Sequence, residues 1–376
     1  MKTGTLDTRL LAQNISKRIQ CDVDEHRVCG AAVAVMQRGQ LLYRGVFGYQ
    51  HPQGQEPLRD DAVFRIASMT KPMTAVALLI QAQRGKLKLE DPVAKYIPGF
   101  AQIPMTYGGY NTVPLQIWHL LTHTGSMETD AASRETARYQ MPKEMNQNLA
   151  DAMIYYATLP LPYEPGTHRR YSGRVGFDIL GRIVEITSGM TLEEFFQKEI
   201  CIPCGMVDTT FVPSAAQWER MVGMHNLVDG CSVTAPTNPG CVVDDVPVTH
   251  YLGGSGLIST LDDYLKFALM LLNKGMTPKG RILDALWVEK MAAPQLPESM
   301  MTPEVNQGLG VRVITGDGYP WLPNGTFGWS GAHGTHYWVD PVNEIVAVYM
   351  KNSRYDGGSG AITGKHFEED VCSSIV

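Results

Sequence analysis

The sequence predicts an α+β fold, in which one antiparallel sheet built from both ends of the chain is flanked by helices and carries an interwoven, mostly helical lobe. The first observation is that apolar runs of strand length stand in pairs near the two ends, at 31–36 with 41–47 and at 336–339 with 345–350. Each pair encloses a short turn, which is typical of a β-hairpin. Because an isolated hairpin cannot bury its apolar face, we expect both hairpins to share one sheet.

The second observation is that helical patterns fill the middle of the chain. They lie at 73–82, 151–157, 175–187, 192–199 and 262–272. Gly85, Gly189 and Gly275 stand just beyond three of these segments, where a left-handed glycine commonly ends a helix.

This layout divides the chain into two predicted lobes. Residues 1–70 and 250–376 should form the sheet lobe, and residues 71–249 should form the mostly helical lobe inserted between its halves. We expect the active site in the cleft between the lobes. Two long stretches, 100–114 and 221–249, are rich in Gly, Pro, Asn and Asp, and irregular segments of that length inside a compact protein are usually functional.

Composition limits the classes of partner. The 376 residues suffice for a sizeable core, and the net charge of −6 with 19% charged residues argues against nucleic acid or an anionic membrane surface. No apolar run approaches the roughly 18 residues of a membrane span, and the first residues lack a secretory apolar region. We therefore expect a cytoplasmic protein with a small-molecule substrate, unless a leader was removed, and leave the oligomeric state open.

The seven cysteines predict no disulfide framework, because their number is odd and their spacing irregular. Cys201 and Cys204 form a close pair, but no second Cys or His pair stands at zinc-ligand spacing. We interpret the cysteines as reduced and structural, and we expect neither a metal nor a cofactor.

Ser68 and Lys71 form the most informative motif. A serine three positions before a lysine on a helix places both side chains on one face, so that the amine can reach the hydroxyl. Pro72 fixes the helix start nearby, because proline is tolerated only in the first turn. At a helix N-terminus the free N–H groups would favour an oxyanion. The alternative is an N-cap serine followed by a solvated lysine.

Several further motifs, in a consistent order, carry a family resemblance. They are 64–72 (FRIASMTKP), 119–125 (HLLTHTG), 164–166 (EPG), 171–173 (YSG), 253–257 (GGSGL) and 329–331 (WSG). With these residues, from about 28 to 350, the chain resembles the serine β-lactamase and penicillin-binding-protein superfamily. Within it, the chain is similar to the class C β-lactamase-like branch that includes the family VIII carboxylesterases. The resemblance implies a β-lactamase/transpeptidase-like fold.

The resemblance also implies roles for individual residues. Ser68 matches the nucleophile, Lys71 its base, and Tyr171 the residue that passes a proton to the leaving group. The backbone N–H groups of Ser68 and Ala332 would form the oxyanion hole. The histidines of the 119–125 motif are interpreted as structural.

Two departures from the family pattern favour an esterase. The family's second motif corresponds to 171–173 and its third motif to 329–331. Members that recognise penicillin usually carry an asparagine at the end of the second motif and a lysine at the head of the third, where this chain has Gly173 and Trp329. The lysine helps to bind a carboxylate and the asparagine amide bonds the acyl side chain. The sequence therefore predicts a cleft for neutral or hydrophobic esters. The residues predicted to contact substrate are Gly173, Trp329, Ser330, Gly331 and His333.

Three alternatives stay open at this point. One is a β-lactamase or D-amino-acid peptidase, and another is an acyltransferase that passes the Ser68 acyl group to an alcohol or amine. The third is a non-catalytic binding or self-assembling protein, against which the joint presence of Ser68, Lys71 and Tyr171 argues. The natural substrate cannot be read from the sequence, and its expected determinants are the segments 100–114, 127–145 and 221–249.

Overall fold

The computed structural model describes residues 4–316, 318–356 and 361–376. Within these ranges the strands are, in chain order, β1 (Gly30–Gln37), β2 (Gln40–Gly48), β3 (Phe64–Arg65), β4 (His225–Val228), β5 (Cys231–Thr234), β6 (Ile258–Ser259), β7 (Met276–Thr277), β8 (Gly280–Arg281), β9 (Val305–Gln307), β10 (Arg312–Ile314), β11 (Phe327–Ser330), β12 (His336–Asp340) and β13 (Ile345–Met350).

The helices of the same ranges are α1 (Thr8–Asp24), α2 (Thr70–Gln83), α3 (Ile117–Leu121), α4 (Ala131–Tyr139), α5 (Leu149–Tyr156), α6 (Val175–Ser188), α7 (Leu192–Phe196), α8 (Ile202–Cys204), α9 (Ala215–Glu219), α10 (Leu261–Leu272), α11 (Ala285–Ala292) and α12 (Ile362–Ser373). Short 3₁₀ turns join several of them, and a π-helical turn, Gln197–Cys201, joins α7 to α8.

The main sheet unites the two ends of the chain. In the described residues its strands pair in the order β2-β1-β13-β12-β11-β10-β9, all antiparallel. The strands β1 and β13 lie side by side, with Ala32 opposite Met350. Arg38 and Gly39 both have positive φ in the two-residue turn between β1 and β2, as a type I′ hairpin requires. The predicted sharing of one sheet by the two terminal hairpins is confirmed.

Both faces of the sheet are covered at β1. Successive side chains of this strand point to opposite sides, and nearly all of them are buried. Ala31, Val33 and Val35 pack in a cluster with residues of α1 and α12, whereas Ala32 and Ala34 join the large core on the other face. The helix α10 covers that second face and contacts β1, β12 and β13. The sheet is therefore a middle layer between two layers of helices.

The helix α2 lies at the centre of the large core. Its residues from Thr70 to Ala82 are all buried, and it packs against α6. This helix is buried on all sides and is largely apolar, as is typical of a helix with no face toward solvent. The residues at its N-terminus are consequently held by surrounding protein.

All seven cysteines are free, as predicted, and Cys201 and Cys204 are buried in the large core. No helix among the described residues combines the length and the apolar character that a membrane span requires.

Candidate active site

Ser68 lies at the entrance to α2. It is the middle residue of a 3₁₀ turn, Ala67–Met69, that runs directly into the helix, and Pro72 occupies the first turn of α2. The first N–H groups of such a turn have no partner within the helix. Ala67 has φ +45, a conformation that L-residues rarely adopt, so the backbone is strained immediately before Ser68.

The side chains of Ser68, Lys71 and Tyr171 meet. The Oγ of Ser68 lies 2.7 Å from the Oη of Tyr171 and 3.1 Å from the Nζ of Lys71. Both contacts are within hydrogen-bond distance, which is the geometry that a nucleophile and its base need. The structure thus brings together the three residues that the sequence predicted to be catalytic, and their roles stay a prediction.

Two carbonyl groups orient the amine of Lys71. The fully buried Nζ donates to the carbonyl oxygen of Gly173 at 2.7 Å and to that of Gly254 at 2.8 Å. When the amine is neutral, its two N–H bonds can go to these carbonyls, and its lone pair then faces Ser68. The motifs at 171–173 and 253–257 therefore both orient the amine of Lys71.

Tyr171 is supported from behind by aromatic rings. His123 lies 4.8 Å from it between ring centroids and stacks on Trp329 at 5.6 Å. The Nδ1 of His123 accepts the backbone N–H of Ser172, which agrees with its predicted structural role. Burial, with smaller effects from Lys71 and Arg169, lowers the pKa of His123 well below its ordinary value, so the ring is neutral.

The third motif holds its strand close to Ser68. A Cβ on Gly331 would lie 2.4 Å from the carbonyl oxygen of Ile66, so only glycine permits this approach. Thr335 donates from its hydroxyl to the same oxygen at 3.1 Å. The following turn uses the N–H groups of Gly331 and Gly334 and leaves that of Ala332 out of its hydrogen bonds. This N–H is therefore available for the predicted oxyanion hole.

A cavity of about 630 Å³ opens in front of Ser68. Of the residues predicted to contact substrate, Gly173 and His333 line it, as do Tyr171 and Ala332. The lining also contains residues of the segments 127–145 and 221–249, such as Tyr139 and Asn238, but none of the segment 100–114. Two of the three expected substrate determinants thus face the cavity.

Trp329, Ser330 and Gly331 are absent from the cavity lining. Trp329 is 8% exposed and packs behind Tyr171, and the Oγ of Ser330 is bonded to the Nδ1 of His336 at 2.7 Å. The Nε2 of that histidine contacts Glu368 at 2.9 Å. This buried chain of contacts fixes the strand. Trp329 consequently supports Tyr171 instead of giving the cleft a flat apolar wall.

The cavity wall differs from the predicted apolar one in its charge. Among the described residues that line it, five are arginines and two are aspartates: Arg65, Arg134, Arg138, Arg174 and Arg354, with Asp244 and Asp245. The expectation of neutral or hydrophobic esters was drawn from positions 173 and 329 alone and did not include these charges. The arginines carry no motif, and only the folded chain brings them together.

The charges are compensated unevenly. Arg174 pairs with Asp244 at 3.7 Å, whereas Arg65 and Arg354 bond carbonyl oxygens. Burial, assisted by Arg354, lowers the pKa of Arg65 to about 10. Burial and the two nearby arginines lower the pKa of His333 to about 4, so that ring is neutral at pH 7.

The chain is similar to known proteins over most of its length. A family model described as Beta-lactamase matches residues 15–366. The protein Rv1367c of Mycobacterium tuberculosis is 30% identical over 353 residues, which cover 87% of this chain and 86% of that protein. Esterase EstB of Burkholderia gladioli is 28% identical over 382 residues, which cover 96% and 95%.

The solved structure of EstCE1, described as a hydrolase with promiscuous acyltransferase activity, matches this chain with a TM-score of 0.85. The sequence identity is 22%, and the match covers 97% of this chain and 99% of that one. The β-lactamase/transpeptidase-like fold expected from the motifs is confirmed.

Proposed function

We propose that this chain, a serine hydrolase that belongs to the β-lactamase family, is a carboxylesterase that works through an acyl-enzyme on Ser68. The observation that carries the proposal is the contact of Ser68 Oγ with both Lys71 Nζ and Tyr171 Oη at the wall of a large cavity. Nucleophile, base and proton donor are the groups that acyl transfer requires.

In the first step Ser68 Oγ forms a bond to the ester carbonyl carbon while its proton passes to Lys71. The N–H groups of Ser68 and Ala332 stabilise the oxyanion. The bond to the alcohol oxygen then breaks, and Tyr171 delivers a proton to that oxygen, itself reprotonated from Lys71. In the second step water attacks the acyl carbon, loses its proton by the same route and releases the carboxylic acid and free Ser68.

The likeness to Esterase EstB supports an ester substrate. So does the lack of a lysine at position 329, because a β-lactam carries its carboxylate on the leaving-group side, where penicillin-recognising relatives place that cation. Acyl transfer is the second candidate. It is favoured by the likeness to EstCE1, a hydrolase with promiscuous acyltransferase activity, and needs only that an alcohol replace water in the second step.

A substrate panel tests the proposal. We expect kcat/KM for a p-nitrophenyl ester to exceed that for a chromogenic cephalosporin or a D-alanyl-D-alanine peptide by at least about a hundredfold, which corresponds to about 3 kcal/mol of transition-state binding. Ser68→Ala, measured in parallel, should abolish turnover of all three and so exclude a contaminating hydrolase.

A ratio of ester to cephalosporin near or below one would contradict the esterase assignment. Adding a primary alcohol and measuring the products distinguishes the second candidate. Predominant formation of the new ester at low alcohol concentration would make the protein an acyltransferase.

A further inference from the structure

The space in front of Gly173 is occupied by the side chain of an arginine from α4. A Cβ built on Gly173 would lie 2.1 Å from Nη2 of Arg138, which belongs to α4. The carbonyl group of the same glycine accepts a hydrogen bond from Lys71. The guanidinium thus lies beside the catalytic residues, at the place where penicillin-recognising relatives have an asparagine amide.

A buried carboxylate holds this guanidinium in position. Glu128, whose side chain is 0% exposed, accepts from Nε of Arg138 at 2.5 Å. Its other oxygen accepts the backbone N–H groups of Arg174 and Val175 at the start of α6. Glu128 has φ +54, so the backbone is strained where it places this carboxylate. Glu128 therefore connects α4 to the backbone that follows the 171–173 motif, and these contacts fix the position of the Arg138 guanidinium.

Arg134 adds a second cation on the same helix face. It precedes Arg138 by four residues, and both line the cavity. Like charges at this spacing destabilise a helix. Among the described carboxylates none forms an ion pair with Arg134, and its Nε is buried without a hydrogen-bond partner. Glu128 compensates the charge of Arg138, so Arg134 is the arginine of this helix face without an ion-pair partner among the described residues.

We propose that Arg138 and Arg134 form an anion-binding subsite, so that the preferred ester carries a carboxylate on its acyl chain. The acyl side is indicated because Arg138 stands over Gly173, at the position whose side chain contacts the acyl group in relatives. A guanidinium binds a carboxylate through paired, charge-assisted N–H···O bonds. Although the whole chain carries a net charge of −6, the cavity wall holds five arginines against two aspartates, so the attraction for anionic ligands is local to this cavity.

The proposal rests on the esterase function. Three esters with six carbons in the acyl group distinguish a failure of the subsite from a failure of the esterase function. They are mono-p-nitrophenyl adipate, p-nitrophenyl hexanoate and p-nitrophenyl 6-aminohexanoate, which end in a carboxylate, a methyl group and an ammonium. After subtraction of the rate without enzyme, we expect kcat/KM for the adipate to exceed that for the hexanoate by about ten- to a hundredfold, with the aminohexanoate lowest. Added salt should reduce the preference, because it screens partly exposed charges.

Variants assign the preference to the subsite. Arg138→Gln and Arg134→Gln should each lower the ratio of kcat/KM for the adipate to that for the hexanoate by roughly tenfold. Arg138→Lys should restore part of the ratio, because it keeps the charge but not the paired geometry. Arg9→Gln on α1, an exposed arginine outside the cavity, is the matched control and should leave the ratio unchanged.

The possible outcomes distinguish the anion subsite from the esterase function. Equal rates for adipate and hexanoate, or equal losses for both in the variants, would overturn the anion subsite while leaving the esterase intact. Absence of turnover for all three esters would instead overturn the proposed function. If Arg138→Gln fails to fold because Glu128 is left buried and unpaired, Arg134→Gln provides the same test without breaking that ion pair.

Discussion

Ser68 owes its placement to the residue before it. Ala67 has a positive φ, which costs an L-residue about 1–2 kcal/mol, and the strain turns the chain from β3 into the 3₁₀ turn. Thr335 and Gly331 lock the preceding carbonyl of Ile66 from the other side. The nucleophile is thus fixed by backbone geometry on both sides of the cleft.

Lys71 and Tyr171 should act as one proton-transfer unit, because both contact the same oxygen of Ser68. We expect Lys71→Ala and Tyr171→Phe each to lower kcat by roughly a hundred- to ten-thousandfold, and the double variant to be little worse than either. Kinetics of all four proteins would complete a double-mutant cycle. Multiplicative losses in the double variant would mean that the two residues work independently.

At the scale of single residues, sequence motifs predicted the positions of Ser68, Lys71 and Tyr171 but not the wall around them. Trp329 was expected in the cleft because its motif position is a substrate position in relatives, yet its ring is 8% exposed and stacks on His123 behind Tyr171. Arg138 could not be found by motif, because its function depends on the missing side chain of Gly173, which is 35 positions away along the chain. The spacing of Arg134 and Arg138 was the one available signal.

Among the elements, α6 connects the core to the site through Asp178. This fully buried carboxyl accepts hydrogen bonds from Tyr156 Oη at 3.0 Å and from the N–H of Gly254 at 3.2 Å. The carbonyl oxygen of Gly254 in turn accepts a hydrogen bond from Lys71 Nζ. Burial raises the pKa of Asp178 to about 7, although the charge of Arg174 opposes the shift. The fold therefore favours the protonated carboxyl.

This shift predicts a pH dependence of stability. Because the folded pKa of about 7 lies above the ordinary value of 3.8, the contribution of Asp178 is fully present below pH 4 and is lost as the pH rises through 7. Between pH 5 and pH 8 the free energy of unfolding of the wild type should fall by about 2–3 kcal/mol relative to that of Asp178→Asn. Urea unfolding of both proteins at the two pH values measures the difference. Parallel pH profiles would show that Asp178 titrates normally.

The middle elements were more predictable than the terminal helices. The structure has α6 and α10 close to the predicted segments, with Gly189 and Gly275 in the left-handed conformation beyond them. The helices α1 and α12 were not predicted. For α1 the spacing of Leu11, Ile15 and Ile19 was a usable helical signal. The helix α12 buries few large apolar residues, so its sequence alone gives little indication.

At the scale of the whole molecule, the chain joins its two ends in one sheet and surrounds the helix that carries the site. Such closure requires contacts between residues more than three hundred positions apart, for example β1 with β13. The two terminal hairpins in the sequence predicted this pairing, because each hairpin needs further strands to bury its apolar face. The boundaries of the two lobes, near 70 and 250, stay a prediction.

The central claim is that Ser68 becomes acylated. The most direct measurement is mass spectrometry of the protein after reaction with a fluorophosphonate, followed by mapping of the modified peptide. The account predicts one adduct, on Ser68, that is absent from Ser68→Ala. This variant should stay folded, because it removes one hydroxyl group and leaves Lys71 bonded to the carbonyl groups of Gly173 and Gly254. An adduct on any other residue, or an unmodified protein that still hydrolyses esters, would contradict it.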